Sequence, residues 1–125
     1  MLIFTLENFE NMANENCIQT FSGIEDALYV IGGKWRLRII IALFDRACRF
    51  NEIQRSVSGI SAKVLAAELR HLELNGFIKR CGLEAPSITT YALTDYSQTL
   101  RTVVHALHDW GRAHRENIKR QAIVQ

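Results

Sequence analysis

A chain of 125 residues, 48% hydrophobic and 22% charged, has the length of one domain and an ordinary globular composition, which excludes a disordered or fibrous protein. No apolar run approaches the ~20 residues of a membrane span and the first residues carry only acidic charge. The cysteines Cys17, Cys48 and Cys81 contain no C-x-x-C pair, so a cytoplasmic chain with free thiols, no metal and no membrane partner is expected.

The net charge of +2 is unevenly spread. Residues 1–30 hold Glu7, Glu10, Glu15, Glu25 and Asp26 with no lysine or arginine, which leaves +7 on residues 31–125. A basic body favours a polyanionic partner. In chain order, Ile24, Ala27, Leu28 and Ile31 recur at three and four residues and predict a short helix ended by Gly32-Gly33. A second helix is predicted over 34–44, where Trp35, Ile39, Ala42 and Leu43 form a stripe widened by Leu37, Ile40 and Ile41, buried on most sides. Phe50, Ile53 and Val57 mark a third, broken by Ser56-Val57-Ser58-Gly59-Ile60. Ser61 is placed to cap a fourth, with Val64, Leu65, Leu69 and Leu72 inward and a stop at Asn75-Gly76.

Phe77-Ile78-Lys79-Arg80 and Thr89-Thr90-Tyr91-Ala92-Leu93 then read as strands of a hairpin, a wing whose tip holds Gly82 and Pro86. Thr94 caps a last helix of about 25 residues, in which Leu100, Val103, Val104, Leu107, Trp110 and Ile118 keep three-four spacing. Such a helix is about 37 Å long, more than a small body covers, so these six side chains would be wet in a monomer. A twofold interface through them, with Trp110 as anchor and the apolar Phe4, Leu6 and Phe9 joining, is the expected remedy. The alternative is that Trp110 packs within its own subunit. The expected fold is therefore mainly α with a small β-hairpin wing, a winged helix-turn-helix dimeric through its terminal helices. It divides into an acidic arm (1–22), a DNA-binding core (23–94) and a dimerisation helix (95–125).

A helix that reads duplex DNA packs one face on its core and offers small or hydrogen-bonding side chains to the major groove. Ser61, Ala62, Lys63, Ala66, Ala67 and Arg70 lie away from the leucine stripe. Lys63 or Arg70 would donate to guanine O6 and N7, Ala66 or Ala67 would touch a thymine methyl, and Ser61 would hold a phosphate. An ordinary amphipathic helix has the same outer face, so the pattern alone leaves both readings open. No nucleophile elbow, P-loop or dinucleotide fingerprint occurs, and His71, His105, His108 and His114 form no metal pair, which argues against an enzyme or a bound cofactor. A winged-helix protein-interaction module without DNA-binding activity is the alternative, since residues 1–30 are acidic and carry exposed apolar candidates.

Gly32-Gly33-Lys34-Trp35, Arg49-Phe50-Asn51-Glu52-Ile53, Gly59-Ile60-Ser61-Ala62-Lys63-Val64-Leu65, Leu69-Arg70-His71-Leu72-Glu73, Gly76-Phe77-Ile78, Tyr91-Ala92-Leu93-Thr94 and Trp110-Gly111 occur in that order. In order and spacing they resemble the signatures of the HxlR family of bacterial regulators. The resemblance spans about Cys17 to His114 and implies a dimeric winged-helix transcription factor, related to the MarR type, that binds double-stranded DNA. It adds Arg49, Asn51 and Thr89 to the candidate DNA contacts. Several family members sense electrophiles or oxidants, which makes Cys17 the candidate redox sensor and a small molecule or oxidant the candidate effector. The chain departs from the family pattern at Arg46, where a turn glycine is usual, and at Ser87 and Ile88 in the wing tip. Cys48, between Arg46 and Arg49, is a second thiol whose neighbours favour the thiolate, unless it is simply packed.

Overall fold

The computed structural model describes the backbone of residues 17–124 and the side chains of residues 20–123. Phe4, Leu6, Phe9 and the side chain of Cys17 lie outside these described residues. Helix α1 (Cys17–Ile31) starts inside the segment expected to be an arm. Among the described residues of its apolar face only Ile31 is buried; Phe21, Ile24 and Leu28 stand exposed. Helix α2 (Arg36–Ala42) is shorter than the predicted 34–44. Its burial is also narrower than expected: Ile39, Ile40 and Leu43 are buried, whereas Ile41 is 48% exposed. One residue advances the helix by about 100°, so a seven-residue helix with 39, 40 and 43 inward turns 41 away.

Helix α3 (Phe50–Ser56) places Ile53 in the core, and Val57 follows it there. Helix α4 (Ala62–Leu74) buries Leu65, Leu69 and Leu72, an i, i+4, i+7 stripe. Val64, expected inward, is 37% exposed because it precedes that stripe by a third of a turn. Leucine and isoleucine side chains from α2, α3 and α4 meet Phe77 and Ile78 in one core cluster. Each contributes about 1.5–3 kcal/mol through burial, and together they fix the inner face of α4.

Strands β1 (Ile78–Cys81) and β2 (Thr90–Leu93) pair antiparallel, with Ile78 opposite Leu93 and Cys81 opposite Thr90. An isolated antiparallel bridge adds Cys48 to β2: its N–H donates to the Tyr91 carbonyl at 2.9 Å while the Tyr91 N–H donates back at 2.7 Å. The wing thus hangs on the segment that leads into α3. At its tip, Gly82 has φ +72°, and a Cβ there would lie 2.5 Å from the Ile88 carbonyl oxygen, so only glycine closes this loop without a shift.

Thr94 does not cap the last helix with its side chain. Its Oγ1 instead donates to the Gly76 carbonyl at 2.6 Å, tying the wing's exit to the end of α4. A 3-10 turn (Asp95–Thr99) intervenes, with Ser97 fully buried and its hydroxyl bonded to the Phe77 carbonyl. Helix α5 (Leu100–Val124) then runs for 25 residues. Arg101 anchors its start: the guanidinium donates to the Phe44 carbonyl at 2.9 Å and lies 4.5 Å from the centre of the Phe44 ring. Leu100 packs on the core and Val104 is half-buried, so the expectation that both are wet in a monomer does not hold. Val103, Leu107 and Ile118 are exposed, and Trp110, stacked on His114 at 5.0 Å, is 67% exposed. Trp110 therefore does not pack entirely within its own subunit. Among the described residues no helix is long and apolar enough to cross a membrane.

Candidate nucleic-acid interface

The α3–α4 unit is held as a rigid corner. Gly59 carries φ +89° in the turn, and a Cβ on it would sit 3.8 Å from the Trp35 ring, so Trp35 backs the turn directly. Gln54 Nε2 donates to the Ile60 carbonyl at 3.3 Å across the same corner. Ser61 Oγ accepts the Val64 N–H at 3.2 Å and satisfies one of the donors that a helix start leaves free. Arg36 braces α4 from behind: its Nε ion-pairs with Glu68 at 2.9 Å while Nη1 donates to the Tyr29 carbonyl at 2.6 Å, at the end of α1.

With its leucines inward, α4 offers Ser61, Ala62, Lys63, Ala66, Ala67 and Arg70 to solvent. All six are small or cationic, a surface on which a groove floor can approach the backbone and still meet a hydrogen-bond donor. Two grooves flank the helix-wing assembly. One, of about 410 Å³, lies between α4 and the wing and is lined by Arg70 and Arg80 together with Glu73 and Tyr91. The other, of about 560 Å³, is lined by Arg46, Arg49, Asn51, Glu52, Arg55 and Thr90 at the start of α3. Arg49 and Asn51, named from the sequence, thus sit together with Arg46 and Arg55, which were not. Glu52 organises this groove. Its Oε1 accepts the Arg49 N–H at 3.0 Å and its Oε2 pairs with Arg46 at 2.9 Å. The Arg49 N–H first and the Arg46 guanidinium second hold the Glu52 carboxyl below the usual carboxylate range. The same pairing raises Arg46.

Thr89 stands apart from the other candidates. Its Oγ1 is 3.0 Å from the carbonyls of both Gly82 and Ala85, so the hydroxyl proton is spent closing the wing loop and is not available to a phosphate. Of the thiols, Cys48 is buried with Sγ 3.5 Å from the Arg46 carbonyl, a packed position, and Cys81 is exposed. Arg80 was missed because nothing local marks it: its partner is Glu73, 2.9 Å away on α4. The only sequence signal for Arg46, Arg55 and Arg80 was the surplus of cations after residue 30.

Comparison with known proteins bears on what this surface is for. The family described as HxlR-like helix-turn-helix matches residues 30–119. The HTH-type transcriptional regulator YdeP of Bacillus subtilis is 34% identical over 96 residues, covering 76% of this chain and 75% of that protein. Among solved structures, the redox regulator HypR in its reduced form superposes with a TM-score of 0.70 at 31% identity, covering 78% of this chain and 97% of that one. Quinone-bound YodB from B. subtilis gives a TM-score of 0.64 at 30% identity, covering 74% and 98%.

Proposed function

This chain belongs to the HxlR-like helix-turn-helix family and is a transcriptional regulator, not an enzyme; from that premise we propose that it acts as a homodimer on a near-palindromic DNA operator, with α4 in the major groove. One observation carries the reading: α4 buries Leu65, Leu69 and Leu72 completely or nearly so and turns Lys63, Ala66 and Ala67 outward. Lys63 donates to a base edge and the alanines admit a thymine methyl. Arg49 and Asn51, with Ser61, hold phosphates that fix the register. The exposed apolar faces of α1 and α5 support a twofold assembly, and two recognition helices about 34 Å apart would meet successive major grooves.

A thiol-reactive effector is the finer part of the proposal. HypR is a redox regulator and YodB has been solved with a quinone, which supports an oxidant or electrophile as the signal here, acting in the cytoplasm through Cys17 at the start of α1. The test of DNA binding is an operator selected from random duplexes and titrated by fluorescence anisotropy across salt. Log K is expected to fall by about 0.9 for each contacted phosphate per tenfold rise in salt. An interaction indifferent to salt would overturn the reading and favour a protein partner on the same fold.

A further inference from the structure

Arg70 and Arg80 reach the groove between helix and wing from different elements, α4 and β1, and they are held differently. Arg80 is oriented, with Nε paired to Glu73 at 2.9 Å. That bond occupies one edge of the guanidinium and leaves its Nη donors without a partner among the described residues. Arg70 is exposed and has neither an ion pair nor a hydrogen bond among the described residues. Two guanidinium groups thus share a concave wall with a single carboxylate, and Ala66, Leu69, Leu74 and Tyr91 supply the rest of its lining. An unsatisfied cationic recess of this kind selects an anion with several acceptor oxygens, for which the planar guanidinium fork is matched.

The placement says which anion. When the N-terminal residues of α4 contact base edges in the major groove, Arg70 further along the helix and the hairpin beside it lie on the side of a sugar-phosphate strand bordering that groove. Ala66, one turn before Arg70, leaves room for that strand to approach. We propose that this groove is a seat for a backbone phosphate of the duplex, with Arg70 and Arg80 as its ligands and Glu73 as the residue that positions Arg80. Arg70 then fixes the protein's register on DNA and does not read a base, contrary to the role expected for it from helical spacing alone. The inference rests on the DNA-binding reading above and adds a residue, Arg80, and a division of labour within α4.

The experiment uses the full chain and two fluorescent duplexes of equal length, the selected operator and a scrambled sequence, titrated over a range of salt. Arg70→Ala and Arg80→Ala are each expected to weaken both duplexes by the same factor and to make the salt slope shallower by about 0.9, one phosphate's worth. Lys63→Ala, the base-reading control, is expected to lose about 10- to 100-fold in preference at one operator position while leaving the scrambled duplex nearly unaffected. Arg70→Ala breaks no ion pair or hydrogen bond among the described residues, so it carries the test even if Arg80→Ala unfolds. An Arg70→Ala protein that weakens on the operator alone, with its salt slope unchanged, would make Arg70 a base reader. Wild-type affinity for both duplexes in Arg70→Ala would place the groove off the DNA. Failure of the wild type to bind any duplex in a salt-dependent way would instead overturn the DNA-binding reading itself.

Discussion

The double substitution Leu107→Glu plus Trp110→Glu tests the assembly most directly. Leu107 is 50% and Trp110 67% exposed in the single chain, on a helix that has left the body behind. Fully burying a large apolar side chain is worth about 1.5–3 kcal/mol, and about half of that remains to be gained at each of these positions on association. Two positions in each of two protomers make four such half-burials, about 3–6 kcal/mol in all, before any cost of forcing a carboxylate into an apolar seam. The dimer Kd should therefore weaken by at least about two to four orders of magnitude. Light scattering with sedimentation at micromolar concentration measures this, and circular dichroism checks that the fold remains. The core is remote from both side chains, so the variant should fold as a monomer. A wild type that is already monomeric at micromolar concentration, or a variant that stays dimeric, would refute the interface.

Three smaller expectations follow from the same contacts. Ser61→Ala leaves the Val64 N–H without its acceptor and should cost about 1 kcal/mol, a few degrees in Tm; an unchanged melt would remove Ser61 from the stability of α4. Glu52 has a lowered folded pKa, so the stability it contributes is present at neutral pH and is lost as pH falls from the ordinary carboxylate range through that lowered value. Glu52→Gln should remove this part of the acid sensitivity, and superimposable pH-stability profiles for wild type and variant would contradict it. Alkylation followed by mass spectrometry should find Cys17 reacting faster than buried Cys48 and exposed Cys81; a Cys17 no faster than either ends its candidacy as sensor.

What could be read in the sequence was whatever a single element's own periodicity encodes. The stripe Leu65, Leu69, Leu72, the glycine stop at Gly76, the two wing strands and the length of α5 all belong to that class. Ile41 and Val64 were misplaced because apolar character does not state direction: neighbours on a helix differ by about 100°, and the stripe that wins is the one the other helices meet. The start of α1 was legible in principle, since Phe21 continues the spacing of Ile24 and Leu28 by one turn. Contacts between distant segments were not. Thr94 looked like a cap, but its hydroxyl went to Gly76, 18 residues back. Cys48 pairing with Tyr91, Arg36 with Glu68 and Arg80 with Glu73 depend on the fold bringing those segments together. For the candidate interface, the face of α4 was readable and the cationic walls on either side of it were not.

The wing tip has a thermodynamic consequence. Thr89 Oγ1 within reach of the Gly82 and Ala85 carbonyls, the Ile88 N–H on the Ala85 carbonyl at 3.1 Å and the tight approach at Gly82 give this loop its shape in the free protein. Fixing a loose backbone costs about 1–2 kcal/mol per residue, a penalty that a floppy hairpin would meet at the moment of docking. Here that ordering is already complete when folding ends. On the DNA-binding reading proposed above, a duplex would meet a hairpin already shaped by these contacts, and the wing would not spend binding free energy on ordering its own tip.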